Sequence, residues 1–187
     1  MDISEQKRAE LIRGAHQSVL DLIVTNHPLS VILNDIAQRL EIINPDMLVC
    51  ILLLDKHTGR FKHGVAPSLP DDYKAVIDQI KIGDNVGSCG TSAWRGEPVI
   101  VSDIDQHPYW QPYLELTRKA DLRACWSVPF KDETGRVLGV LSIYHRTPWE
   151  PLPTDLVLVN EFVSITALAV QKVCAAETLK QAAAVFE

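Results

Sequence analysis

The chain has no basic surplus. Its 187 residues carry 18 Lys and Arg against 24 Asp and Glu, a formal net charge of −6. With no Lys/Arg cluster to meet a phosphate backbone, nucleic acid is excluded as an expected partner. Cysteine is sparse and scattered. Cys50, Cys89, Cys125 and Cys174 form no C-x-x-C pair, which argues against a zinc site or a disulfide framework and fits a reducing, cytoplasmic setting. The 6 histidines show neither HExxH nor HxH spacing, so no metal is expected. No uninterrupted apolar run approaches the roughly 20 residues that span a bilayer, and none is expected to cross a membrane. The opening MDISEQKRAE is charged and mixed, unlike a secretory signal.

What is present is an ordinary globular composition, 47% hydrophobic, in a length that suits one domain plus extra helix. Residues 4 to 25 read as a helix that Ser4 caps, with Ile12, Val19 and Leu22 or Ile23 at helical spacing. His27-Pro28 ends it. A second helix from Leu29 to about Ile43 carries the stripe Ile32, Leu33, Ile36, Leu40. MLVCILLLD then reads as a central strand buried on both faces. DKHTG turns it back into RFKHGVAP, and KDETG joins RACWSVPF to RVLGVLSIYHR in the same way. Both turns carry Thr-Gly-Arg, so both strand pairs read as antiparallel.

Between the hairpins lie a short helix at 70–79, a glycine-rich loop, a two-turn helix SCGTSAWRG closed by Gly96, and a strand PVIVSD ending at Asp103. IDQHPYWQPY is irregular and LELTRKAD is helical. A helix of some 30 residues runs from Pro153 to the end. One of its faces, Leu158, Phe162, Ile165, Ala169, Lys172, Ala176, Leu179, Ala183, repeats every 3.5 residues. A second face reads Val159, Val163, Thr166, Val170, Val173. One face covers the sheet and the other meets a partner, or a single wide face covers the protein's own sheet. The fold class is α+β: an antiparallel sheet with terminal helices on one side and loops and short helices on the other.

The segment VGSCGTSAWRGEP, residues 86–98, concentrates the chemistry. Ser88, Cys89, Gly90 and Thr91 fall where loop becomes helix, and a helix start offers free N–H groups and partial positive charge to an anion. The residues alone leave two readings open: a ligand cradle, or Ser88 as a plain cap with glycines permitting the turn. Trp110 reads as a lid, Trp126 as aromatic surface for a planar guest, and Trp94 as core. Asp103 and Arg123 sit beside apolar strands, where each meets a ligand group or they pair with one another; Asp103 equally suits a turn cap. Tyr144 and Ser142 share the last strand, one face of which looks toward the site. His107 and His145 lack a context specifying a haem ligand, and no cofactor is expected.

The stretches at 80–104, LRACWSVPF at 122–130 and GRVLGVLSIYHR at 135–146 together resemble the GAF domain family over roughly residues 29–172. The SCGTSAWRGEPV form is similar to GAF domains of bacterial signalling proteins such as histidine kinases and cyclic-di-GMP enzymes. The resemblance implies a six-stranded antiparallel sheet, a small-molecule pocket away from the terminal helices, and a homodimer through those helices. It makes Ser88, Cys89, Gly90 and Thr91 a pocket wall, with Asp103, Trp110, Arg123, Trp126 and Tyr144 as further contacts, and a nucleotide or other anionic metabolite as guest. Residues 1–28 become a signalling helix, and 173–187 lead toward a covalently linked output domain beyond this segment; a helix that ends the native protein is the alternative.

Two rival functions remain. Free methionine-(R)-sulfoxide reductases resemble this segment in a Gly-x-Cys-Gly setting. Their chemistry also uses a cysteine in a His-x-x-Cys-Asp stretch, and the matching region here, HPYWQPY, has none. The expectation is therefore a regulatory domain, not an enzyme, with Cys89 as a small buried residue. A dimerisation module without a ligand is the other rival.

Overall fold

The computed structural model describes residues 4–186; the side chain of His63 lies outside that description. Of the expected helical segments 1–28 and 173–187, residues 1–3 and 187 fall outside it as well.

Helix α1 spans Glu5–Val24, and its cap is the expected one: Lys7 donates its backbone N–H to Ser4 Oγ at 3.1 Å. Helix α2, Leu29–Ile43, starts directly after Pro28 and buries its whole predicted stripe. Strands β1 (Leu48–Asp55) and β2 (Arg60–Val65) form the first hairpin, and β4 (Ala124–Lys131) and β5 (Val137–His145) the second. The two Thr-Gly-Arg turns are built alike. Asp55 Oδ1 accepts the N–H of His57 and Asp132 Oδ1 that of Thr134, each at 2.9 Å, while Gly59 and Gly135 supply positive φ of 67° and 86°. These hydrogen bonds hold both carboxyls below their usual range, the bonds from His57 and from the Thr134 hydroxyl being foremost.

The antiparallel sheet runs β2-β1-β5-β4-β3, with β3 at Val99–Val101. A sixth position is reduced to a single bridge of Lys81 with Arg60 on the outer edge of β2, fixed by Phe61 N–H to Ile80 O at 3.0 Å and Ile82 N–H to Gly59 O at 2.8 Å. Strand β3 ends two residues before the expected Asp103, because Asp103 instead caps the 3₁₀ turn Ile104–Gln106. A second 3₁₀ segment, Pro108–Tyr113, replaces the expected irregular stretch and leads into α5, Leu114–Lys119.

Strand alternation sorts the core into two halves. Val49, Ile51, Leu53, Trp126, Val128, Phe130, Leu141 and Ile143 meet α1, α2 and the long α6, Pro153–Ala184. Cys50, Leu52, Cys125, Val140 and Tyr144 face α3 (Asp71–Ile77), α4 (Gly87–Arg95), the 3₁₀ segments and α5. Through Val170 both predicted faces of α6 are buried except for the half-buried Val163, so one wide apolar surface covers the sheet there. Beyond it Val173 still packs partly against the core, while Lys172, Ala176, Leu179 and Ala183 are all exposed. By length and composition α6 is apolar enough to cross a membrane, which scanning for uninterrupted apolar runs did not suggest; its first half packs on the sheet instead.

Gly139 marks the tightest point of the sheet. A Cβ there would run into the Leu52 carbonyl of the neighbouring strand and the Phe130 ring. Gly139→Ala is expected to destabilise the fold by about 2 kcal/mol, within the usual range for overpacking. Urea unfolding checks this, and an unchanged midpoint would contradict the packing.

Candidate functional site

Helix α4 begins at Gly87, whose φ of +53° suits glycine. Trp110 closes over this point: a Cβ on Gly87 would sit 3.4 Å from the indole. Gly90 is equally constrained, since a Cβ would come within 2.8 Å of the Val86 side chain. The helix start is not capped by Ser88. Thr91 reaches back instead, accepting the Val86 N–H at 3.0 Å and donating to Gly87 O at 2.6 Å.

Ser88 is thereby free to turn inward. Its hydroxyl donates to Cys125 O on β4 at 3.0 Å and accepts the Trp110 indole N–H at 2.9 Å, all fully buried. A single oxygen thus pins the aromatic segment, α4 and the sheet together. Tyr144 extends the cluster from β5, taking the Tyr73 hydroxyl at 3.1 Å and meeting Trp110 edge-on at 6.3 Å. Ser127 and Ser142 bond across β4 and β5 at 2.7 Å beneath. This sheet face therefore carries small and polar groups where an apolar floor is usual.

The sequence-derived residues separate into three groups. Ser88, Cys89, Gly90, Thr91, Trp110 and Tyr144 gather in this one buried cluster. Trp110 is 3% exposed, so it plugs the space beneath the 83–91 loop where an open hollow was expected. Asp103 and Arg123 lie at its border and pair with each other at 3.3 Å, and Asp103 also caps the turn through the Asp105 N–H at 3.1 Å. Arg123 also lies 3.6 Å from Asp105.

Trp126 does not belong to the cluster. Alternation along β4 sends it to the helix side, where its indole donates to Trp149 O at 3.0 Å and its ring lies 4.4 Å from that of His145. Trp94 is 60% exposed, not core; Ala93 takes the buried position. Tyr73 was missed by sequence reasoning, its only signal being a lone aromatic in a short amphipathic helix.

Three thiols belong to this side of the core, Cys89 in the cluster with Cys50 and Cys125 from the sheet, all buried. Burial pushes each of them up from the ordinary thiol value. At Cys89 the amides of the helix start pull the other way, but desolvation outweighs them. A cavity of about 290 Å³ opens beside the cluster rather than under α4. Cys50 and Leu52 form its floor, with Lys74, Ile77 and Asp78 along α3 and just past its end.

The GAF domain family profile matches residues 28–170, and this chain belongs to that family. It is 32% identical over 181 residues to the methyl sulfide methyltransferase-associated sensor of Methanosarcina acetivorans. That match covers 97% of this chain but 18% of the relative, so the chain spans less than a fifth of that protein. Among solved structures, free methionine-R-sulfoxide reductase of Neisseria meningitidis superposes with a TM-score of 0.67 at 19% identity, covering 94% of this chain and 97% of that one. A GAF domain of an Acinetobacter phosphoenolpyruvate-protein phosphotransferase gives 0.67 at 15% identity, covering 96% and 99%. A domain of a two-component sensor histidine kinase from Sinorhizobium meliloti gives 0.64 at 19%, covering 78% and 92%. These likenesses establish the shared fold.

Two outcomes follow from this geometry. In the folded protein, Cys174 is expected to react with a thiol reagent such as DTNB, and the three buried cysteines only after denaturation; rapid native reaction of Cys89 would contradict the burial. His145 is buried against two tryptophans and desolvation lowers its pKa. The unfolded chain therefore takes up this proton first as pH falls below about 6.5. Stability present above that pH is lost on acidification, and His145→Gln is expected to flatten this part of the pH profile, measured by urea unfolding. An identical slope in the variant would overturn the assignment.

Proposed function

We propose that this chain is a regulatory sensor domain of a cytoplasmic signalling protein, and that it binds a small molecule on the α4 side of its sheet. One observation carries the reading: the buried contact between α4 and the sheet is built from hydroxyls, thiols and one indole. Trp110 holds its place through a single side-chain hydrogen bond to Ser88 and edge contacts with Tyr113 and Tyr144. A planar or anionic guest that displaced it would inherit the Ser88 hydroxyl, the Tyr73–Tyr144 pair and the amides at the start of α4. Asp103 and Arg123 at the border supply a carboxylate and a guanidinium. A nucleotide or another anionic metabolite fits this donor set.

Movement of the 105–113 segment would reach the rest of the molecule through β4 and β5, whose opposite face carries α6. Ligand binding then acts as a population shift between two arrangements of that helix. That the Methanosarcina relative is named a sensor supports this reading. The exposed run of α6 beyond Val170, together with Leu20 and Val24 on α1, supplies apolar surface for pairing two copies through the terminal helices. An output domain, of the histidine kinase or cyclic-di-GMP type, would take the signal from α6.

The reductase reading is weaker on chemical grounds. Thiol attack requires a thiolate, and burial keeps Cys89 and Cys125 protonated at neutral pH. Turnover of free methionine sulfoxide that disappeared in Cys89→Ser would favour the enzyme instead.

The sensor reading is tested by calorimetry with a panel of nucleotides and anionic metabolites, beside native mass spectrometry of the purified protein for a retained guest. At least one compound is expected to bind, with a change in tryptophan emission that is lost in Trp110→Phe. No binding and no retained guest would leave only a dimerisation scaffold.

A further inference from the structure

We infer that residues 146–152, the strap between β5 and α6, form an acid-released latch at the root of α6, with His145 as its trigger and Trp149 as its bolt. This device goes beyond the sensor reading and does not depend on it. Pro148 and Pro151 each fix a backbone angle of the strap and stiffen it. Trp149 fastens it at its centre. Its N–H donates to Ser102 O just past β3 at 2.9 Å, and its carbonyl accepts the Trp126 indole N–H of β4 at 3.0 Å. At the far end the strap joins α6 through Leu152, whose N–H goes to the Asp155 carboxylate at 2.9 Å.

His145 holds the bolt through its ring. The imidazole lies against two indoles, stacked on Trp149 at 5.7 Å and 11°, and tilted against Trp126 at 4.4 Å. The residue is 3% exposed, and its Nε2 is buried with no hydrogen-bond partner among the described residues. A neutral imidazole tolerates this, because Nε2 can be the nitrogen without a proton. An imidazolium carries N–H at both nitrogens, so its Nε2 proton would be a buried, charged donor with no acceptor.

The charges around the ring do not supply that acceptor. Asp46, ahead of β1, and Asp155, in the first turn of α6, both favour the protonated form, but neither is bonded to Nε2 and burial outweighs them. Asp155 is already committed to the Leu152 N–H. Of the neighbouring cations, Arg146 turns to the Ala120 and Asp121 carbonyls at 3.1 and 3.2 Å, and Arg123 to Asp103 and Asp105. A cavity of about 220 Å³ between His145, Asp46, Leu48 and Trp149 gives water a route to the ring and the strap room to shift. A protonated His145 finds an acceptor only by parting from Trp149. The closed strap therefore binds fewer protons than the released one. It is favoured above about pH 6.5 and loses ground as pH falls below that value.

NMR titration of the whole chain from about pH 7.5 to about pH 5 tests the latch, a range that spans the ordinary histidine value. The Trp126 indole N–H and the Trp149 amide report the two hydrogen bonds that the strap makes. Both signals are expected to shift with one midpoint, below about 6.5, shared with the His145 ring itself. Protection of the Trp149 amide from hydrogen exchange, corrected for the intrinsic rate, should fall about tenfold across that range. The Trp110 indole N–H, bonded to Ser88 on the other face of the sheet, should stay fixed, which separates release of the strap from acid unfolding. In His145→Gln the two strap signals are expected to lose their pH dependence, with thermal unfolding verifying the fold. The parent titration decides the matter even if that variant does not fold. Strap signals that stay fixed down to pH 5 overturn the proposal, as does a Trp110 signal that moves with them or a transition that persists in folded His145→Gln. Failure here leaves the α4-side site untouched, since no ligand enters the experiment.

Discussion

The alternation of side chains along β1, β4 and β5 constrains everything else in this molecule. These strands are buried on both faces, so each successive residue is committed to one of two unlike environments. On the helix side the inward set is large and apolar, and it meets three helices. On the other side the same strands present Cys50, Cys125, Ser127, Ser142 and Tyr144. A shift of register by one residue would drive serines and cysteines against α6 and tryptophan and phenylalanine under α4. The close approach of Gly139 to its neighbours fixes that register from the sheet's centre.

Given that two-sided sheet, the Ser88 hydroxyl organises the α4 half. It joins three separate segments of chain, its own helix α4, strand β4 and the 108–113 turn, and both of its partners are buried. Removing it would leave a buried indole N–H unsatisfied, a cost of about 1–3 kcal/mol. Ser88 is free for this task because Thr91 takes over the helix start, and Gly87 lets the indole approach. The four small residues of the α4 start therefore divide the work: two admit close packing, one closes the turn and one holds the aromatic plug. The ion pair of Asp103 with Arg123 is partly exposed and contributes little to stability by comparison.

Much of this was legible in the sequence. Helix α2 and strand β1 were readable because a helical stripe and a continuous apolar run have few alternative explanations. The hairpin turns were readable because Asp and Gly occupy positions that demand a side-chain acceptor and a positive φ. The GAF likeness followed from the glycine-rich segment with its flanking strands. The plug was not legible, because no local pattern says whether Trp110 lies over a space or inside it. Trp126 was misplaced because its face depends on β4 register, which is fixed by pairing with β5. Trp94 was misplaced because a helix of two turns has too few residues for periodicity to identify its buried side. The carboxylate of Asp103 fitted both a turn and an ion pair from the sequence, and the structure shows it in both.

The proposed function requires that the seat of the Trp110 indole, between Gly87 and Ser88, can be emptied and refilled. The most direct measurement is chemical rescue of Trp110→Ala by free indole, followed by thermal unfolding. The seat predicts that indole raises the midpoint of the variant in a concentration-dependent manner, as a ligand of the native state must, while leaving the parent protein unchanged. No rise in the variant, or an equal rise in both proteins, would contradict it.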